Sequence, residues 1–402
     1  MSGATLLSPG RLGPHETRNR LIRAGTSETM AGPGGEVTPQ LVALYGRLAE
    51  GQAGAIFTGH LFSHPRGRYA RRQTGIYDDR LITGLRELTH AVHRGGGTVL
   101  AQLAHAGSQS RAPFVDPLAP SAVPNALTGR EVPAGSEEEI REAIDAFADG
   151  ARRALEAGFD GVHIHGANGY LITEFLSPLT NRRDDAWGGD RERRLRFPRE
   201  VVRAVRAVVP NDKILTMKIG VVDAPAGGLD LGDGLAVASA LVAEGLDAVE
   251  ISCGVMTRPT DSARQYVAVD RARAAHDLLP HRMFAKEVDE AYFVPWVRAL
   301  RKRVDTTVVA VGGMRRTETM DSVLAAGDAD FVAMARPFIR EPDIAAQISA
   351  GRRGRVDCTS CNICLMHEGH HSLRCWRTPR HRLLQHATYR LAGGFRWGPR
   401  GR

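Results

Sequence analysis

No stretch of this 402-residue chain approaches the roughly 20 apolar residues that a membrane span needs. The opening residues also lack the apolar core of a signal peptide. A membrane partner is therefore not expected, and the cytoplasm is the default compartment. Carboxylates are missing from residues 376–402, which carry Arg377, Arg380, Arg382, Arg390, Arg396, Arg400 and Arg402. The net charge of +8 is thus mostly local to this tail and leaves only about +1 for the rest. A broad basic face for nucleic acid is not indicated, and the tail reads as solvated or as docking a partner. Cysteine is scarce: Cys253 stands alone, and the other four lie within residues 358–375, unlike a secreted disulfide framework. The first strand is not followed by Gly-x-Gly-x-x-Gly, which argues against an open dinucleotide-binding sheet.

What the chain does have is a regular alternation. Short apolar runs at 18–25, 55–58, 98–103, 161–164, 213–219, 247–252, 306–311 and 330–335 read as strands. Between them lie helical patterns, among them one opened by Thr38-Pro39 and one by the capping box of Ser136 and Glu139. Strands of continuous apolar character suit a parallel sheet buried on both faces. The count predicts an α/β fold, a (β/α)8 TIM barrel over residues 1–350. Residues 351–402 form a short C-terminal cysteine-rich segment and basic tail. Three long loops, 60–75, 108–135 and 254–288, interrupt the alternation and should decide the substrate.

The stretch Gly161-Val-His-Ile-His-Gly-Ala-Asn-Gly-Tyr170 stands out. It runs as a strand and then releases His165, Asn168 and Tyr170 into a glycine-broken loop, where a barrel presents catalytic groups. His165 and Asn168 are N–H donors that can hold one carbonyl or nitro oxygen. A tyrosine phenol, with an ordinary pKa of about 10, is protonated near neutrality and can donate a proton. Two donors polarising an electron-withdrawing group beside an acid is a layout for reducing an activated alkene. Gly312-Gly313 after the seventh strand and Ala335-Arg336-Pro337-Phe338 after the eighth fall where such barrels bind phosphate.

The continuation, Glu174-Phe-Leu-Ser-Pro-Leu-Thr-Asn-Arg-Arg-Asp-Asp-Ala-Trp-Gly-Gly-Asp-Arg191, resembles the old yellow enzyme family of FMN-dependent ene reductases. The resemblance implies FMN, with NAD(P)H as electron donor and a small-molecule substrate bearing an activated alkene. It implies Ala24, Gly25, Thr26 and Ser27 against the ring system, and Gly59 and Gln102 at its pyrimidine edge. Lys218 would place a cation near N1 and the C2 carbonyl, and Gly312, Gly313, Ala335 and Arg336 would hold the phosphate. Alternatively, Lys218 pairs a barrel carboxylate. Oxidation of an amine-type substrate, by a dehydrogenase or demethylase, is the runner-up. A flavin-free lyase or aldolase with Lys218 as Schiff-base former leaves the trio of His165, Asn168 and Tyr170 unused. A second copy of the chain or a redox partner stays open.

Cys358-x-x-Cys361-x-x-Cys364, followed by Cys375, suits iron–sulfur or zinc. Together with the residues before it, the pattern resembles the family's iron–sulfur branch, which contains 2,4-dienoyl-CoA reductase and trimethylamine dehydrogenase. That resemblance implies a 4Fe-4S cluster. The gap before Cys375 is shorter than in those enzymes, and with only 27 residues after it their FAD- and NAD-binding domains are not expected. His367, His370 and His371 are alternative zinc ligands, and cysteines without metal are the remaining reading.

Overall fold

The computed structural model describes residues 4–110, 116–256 and 290–392. A hairpin comes first, β1 (Gly10–Leu12) against β2 (His15–Thr17), turned at Gly13 with φ 56°. Then follow β3 (Leu21–Arg23), β4 (Ala55–Phe57), the two-residue β5 (Leu61–Phe62), β6 (Val99–Ala104), β7 (Gly161–Gly166) and β8 (Ile214–Val222). β9 (Ala248–Cys253), β10 (Thr307–Ala310) and β11 (Phe331–Met334) complete the set. From β3 round to β11 every neighbour is parallel, and β3 pairs with both β4 and β11 while β4 also pairs β6, so the sheet closes. The result is an eight-stranded (β/α)8 barrel, as the alternation predicts.

Inside the barrel, Ile22, Phe57, Leu100, Ile214, Ala248, Val309 and Phe331 fill one core with Leu12, so the hairpin plugs the amino-terminal end. The larger core lies between the strands and the helices outside them. Those helices begin as their caps dictate. Thr38 accepts from the Leu41 N–H at 3.4 Å to open α1 (Pro39–Glu50). After α2 (Ile82–Arg94), Ser136 and Glu139 form both halves of the capping box of α3 (Glu137–Glu156). The short α4 (Leu171–Leu176) and then α5 (Arg191–Val208) and α6 (Leu231–Val242) follow. α7 (Val294–Arg301), α8 (Thr317–Ala325), α9 (Arg336–Arg340) and α10 (Ile344–Ser349) finish the cycle. Among the described residues no helix is long and apolar enough to cross a membrane.

Two expectations change. The hairpin, β5 and the terminal helices α11 (Ile363–Met366) and α12 (His381–Leu391) have no counterpart in the sequence reading. The near half of the tail is also not simply solvated. Trp376 and His386 are buried, because α12 lays His386 against His367 beneath the stacked ring of Trp376. Most of the expected loop 254–288 and the last arginines of the tail lie outside the described residues.

Candidate active site

A single cavity at the carboxyl ends of the strands gathers most of the residues singled out in the sequence. Its lining includes Ala24, Gly25, Thr26, Ser27, Gln102, His165, Asn168, Tyr170, Lys218, Gly312, Gly313, Ala335 and Arg336. Gly59 is not in that lining; its N–H donates to Glu28 Oε1 at 2.8 Å.

β7 and the turn after it arrange the trio. His165 is the last inward residue of β7, and burial, aided by the charges of His60, Lys218 and His163, pushes its pKa well below the usual value. The ring is therefore neutral and carries one N–H, and Nδ1 is buried without a hydrogen-bond partner. Asn168 adopts φ 61°, a left-handed turn that asparagine tolerates better than most residues. Its N–H donates to the Cys253 carbonyl at 2.9 Å, which ties the turn to the end of β9. The Ser252 hydroxyl donates to Asn168 Oδ1 at 3.4 Å, so the amide nitrogen is left as the donor end. Tyr170 caps α4 and stands edge-on to His165, ring centroids 4.9 Å apart.

His60 also faces this trio, its ring 5.6 Å from Tyr170 and 6.3 Å from His165. Gln73 Nε2 donates to His60 Nδ1 at 2.7 Å, which puts the imidazole proton on Nε2. That nitrogen is buried without a hydrogen-bond partner and lies 3.8 Å from Glu368 Oε1. Glu368 is the only carboxylate in the described lining, and it arrives from the C-terminal segment. That segment is fastened to the loop after β3 by the Leu373 N–H on the Glu28 carbonyl at 2.7 Å.

The floor carries the pyrimidine-edge candidates. A Cβ on Gly25 would lie 2.5 Å from Gln102 Nε2, so glycine is needed for that approach. Lys218 does pair a barrel carboxylate, Glu250, as the alternative reading has it, while also lining the cavity. At the far end Gly312 and Gly313 take φ 102° and 76°, and a Cβ on Gly312 would strike Phe293 and Tyr292 at 2.6 and 2.7 Å. Arg336 Nη1 donates to Asn362 Oδ1. A second guanidinium, Arg315, lines the same end, is 2% exposed, and leaves Nη1 and Nη2 without hydrogen-bond partners. Burial first, and then the opposing Arg336, lowers its pKa to about 10 although the Cys358 thiol counteracts.

The four clustered cysteines are half-buried and unpaired. Burial raises Cys364, and the charges of Cys361, Cys358 and Cys375 add to that shift, so the four thiols share one neighbourhood. Ser360 and Asn362, between them, both take left-handed φ of 50° and 61°. Among the described residues no three His, Cys, Asp or Glu side chains form a site for one metal ion. Both ring nitrogens of His367 are engaged, by His371 at 2.9 Å and His386 at 3.0 Å.

Residues 5–354 match the NADH:flavin oxidoreductase / NADH oxidase family. The chain belongs to that family. It is 32% identical over 363 residues to the NADH oxidase of Thermoanaerobacter brockii, covering 89% of this chain and 53% of that protein. The chain thus spans about half the length of that relative. It is 36% identical over 298 residues to the NADPH dehydrogenase of Geobacillus sp. (strain WCH70), 74% of this chain and 79% of the relative. Among solved structures, the old yellow enzyme homologue from Zymomonas mobilis superposes with a TM-score of 0.71 at 26% identity, covering 88% of this chain and 94% of that one. The resemblance drawn from Glu174–Arg191 therefore holds for the barrel as a whole.

His60, Arg315 and Glu368 escape a reading of the sequence. His60 and Arg315 each sit one or two residues past a glycine in the turn that follows a strand, a signal that flags such positions in a barrel. For Glu368 there is no comparable signal, since only the fold of the C-terminal segment brings it to the cavity.

Proposed function

We propose that this protein is an FMN-dependent NAD(P)H oxidoreductase that reduces activated C=C bonds. The observation that carries the reading is the convergence of His165, Asn168 and Tyr170 at one cavity whose far end holds an unsatisfied guanidinium. The residues fit the cofactor. A buried guanidinium without a counterion is costly, and the Gly312-Gly313 turn and Arg336 beside it make that end suited to a phosphate. The orphaned Gln102 Nε2 and the cation of Lys218 suit the polar edge of a flavin ring. Bound FMN supplies hydride exchange between the nicotinamide and the substrate.

The chain's own residues do the rest. His165, neutral and anchored on β7, and the Asn168 amide hold the oxygen of the activating group and draw electron density from the β-carbon. His60 Nε2–H is a third donor at the same wall. Tyr170 gives its phenolic proton to the α-carbon, a step that positioned acids typically speed by about 10²–10⁴-fold. Tyr69, Leu127 and Met256 supply the apolar wall that keeps water from the reacting carbons.

Cys358, Cys361, Cys364 and Cys375 are proposed to hold a 4Fe-4S cluster, which supplies one-electron exchange beside the barrel. The shared neighbourhood of the thiols and the two left-handed turns between them favour a loop wrapped around a cluster. We further propose the domain division at residue 350 and a cytoplasmic setting, which the unpaired cysteines favour. A second reading, oxidation of an amine, is favoured by one feature: Glu368, in a lining that also holds Tyr69 and Tyr170, suits a cationic group. Purified protein tests both: a flavin absorption spectrum and a saturated product from an enone support the first. A colourless protein that binds no added FMN overturns it, and a flavin reduced by amines but never reoxidised by alkenes favours the second.

A further inference from the structure

Lys218 and Glu250 are register partners on β8 and β9, and His165 is the partner of Lys218 on β7. The three positions form one row across the barrel, and paired residues of parallel strands turn to the same face, here inward. Lys218 Nζ meets Glu250 Oε1 within that row. His163, two residues before His165, belongs to the row beneath and points inward as well. Its Nε2 lies 3.2 Å from Glu250 Oε2, and its Nδ1 lies 2.7 Å from the Thr216 hydroxyl. The Thr216 hydroxyl also faces the Val162 carbonyl at 3.4 Å, and the imidazole turns its other nitrogen toward Glu250. Phe57 stacks on the His163 ring at 4.2 Å and fixes its plane. The side chains of His163 and Glu250 are fully buried, and only Lys218 reaches the cavity.

Charge follows from these contacts. Burial alone would raise Glu250, but the Lys218 ammonium and the His163 hydrogen bond outweigh it and hold the carboxyl at about 2. Burial keeps His163 neutral. The cavity therefore meets a cation backed by an anion, a buried group with almost no net charge. At short range in a low-dielectric interior, such backing weakens the potential that the ammonium projects. A buried ion pair is also seldom a net source of stability, so its presence here calls for another explanation.

We propose that Glu250 is a positioning residue that fixes Lys218 at the flavin edge and attenuates its charge there, thereby setting how strongly the site favours the reduced flavin. This rests on the FMN reading above. His163 backs the device from behind, its Nε2 3.2 Å from the far carboxylate oxygen, and leaves the carboxylate little room to swing away from Lys218. Without the carboxylate's charge, the ammonium acts undamped on negative charge in the ring system.

Sulfite tests this without turnover, because it adds to oxidised flavin and places negative charge on the ring. Holoprotein is prepared as parent, Glu250→Gln and Glu250→Asp. Flavin per chain and melting temperature are recorded, and sulfite is titrated by loss of the visible flavin band. Glutamine keeps the shape and can still accept from Lys218, while aspartate keeps the charge but withdraws it by one methylene. The expected order of sulfite affinity is Glu250→Gln, then Glu250→Asp, then parent. The glutamine variant should bind about tenfold tighter, and its flavin midpoint should rise by the equivalent ~30 mV for a two-electron couple. If Glu250→Gln does not fold, a gain of a few-fold in Glu250→Asp carries the same meaning. A parent that binds flavin, with variants whose sulfite affinities stay within twofold of it or fall, overturns this proposal alone. A parent that holds no flavin overturns the reading on which it rests.

Discussion

The rings of His165 and Tyr170 meet edge-on with centroids 4.9 Å apart, and the edge of His60 closes on the same tyrosine at 5.6 Å. The oxygen-holding donors and the proposed acid are thus parts of one packed unit, with exposures of 4% for His165 and 7% for Tyr170. A ligand oxygen that binds His165 must lie against Tyr170 as well. Phenols, which present such an oxygen on a flat ring, should bind the oxidised holoprotein and perturb its flavin spectrum. His165→Ala should weaken that binding by roughly tenfold or more, the worth of a buried hydrogen bond to a polar group left unpaired. Equal affinity in parent and variant would remove His165 from the oxygen site.

Arg315 should affect two properties in opposite directions. Its guanidinium is buried with Nη1 and Nη2 unsatisfied. In protein freed of FMN, Arg315→Met replaces an uncompensated buried charge by an apolar side chain, so the melting temperature should rise. FMN affinity should fall, by the roughly 1.5–3 kcal/mol typical of a hydrogen bond to a charged group. Arg336→Ala should also lower FMN occupancy, but without the gain in stability, since Arg336 has a partner in Asn362. Thermal melts and FMN titrations of the two variants decide the matter.

These two residues also show how far the sequence carries. Arg336 is legible because it follows an apolar strand within Ala335-Arg336-Pro337, where the chemistry of phosphate binding expects a cation. Arg315 lies next to Arg316 in a helix-leading turn, and nothing local says which of the two is buried. Only the antiparallel bridge between Arg316 and Arg355, with the Val356 N–H on the Arg315 carbonyl, settles that Arg315 turns inward. The trio at the end of β7 is legible for a similar reason to Arg336: the apolar strand gives way to polar residues at its carboxyl end. Glu250 is the converse, one charge in the apolar strand Ala248–Cys253, whose partner Lys218 on the preceding strand is set by barrel register. The β1–β2 hairpin escapes because each strand has only three residues, too few for periodicity to speak.

Acid should destabilise the fold through its buried imidazoles. Burial, with the charges of His64 and Arg66, pushes His105 down to about 3. Its Nδ1 accepts from the Gly107 N–H at 3.2 Å, a bond that needs the neutral ring. An unfolded histidine titrates near 6.5, so the unfolded chain takes up a proton that the folded chain refuses. The contribution of His105 is complete above about pH 6.5 and is lost as pH falls toward 3. Melting temperature measured from pH 7 to pH 4 should fall more steeply in the parent than in His105→Asn. Parallel curves would assign the acid sensitivity elsewhere.

Protein purified without oxygen should contain four iron atoms and four sulfides per chain, as a 4Fe-4S cluster requires. Cys364→Ser should lose most of both, and its FMN content should fall as well, because Cys364 also lines the cavity. Zinc at one per chain with neither iron nor sulfide would replace the cluster by a structural site.

The most direct measurement of the proposed chemistry is anaerobic stopped-flow of the two half-reactions in parent and Tyr170→Phe. The flavin band of both proteins should be bleached by NAD(P)H at equal rates, since Tyr170 takes no part in that step. On mixing with an activated enone, the parent's band should return, and Tyr170→Phe should restore it more slowly by about 10²–10⁴-fold. Reoxidation of the variant as fast as the parent with every enone would contradict the assignment of the acid. A parent flavin bleached by amines and reoxidised by no alkene would contradict the reductive function itself.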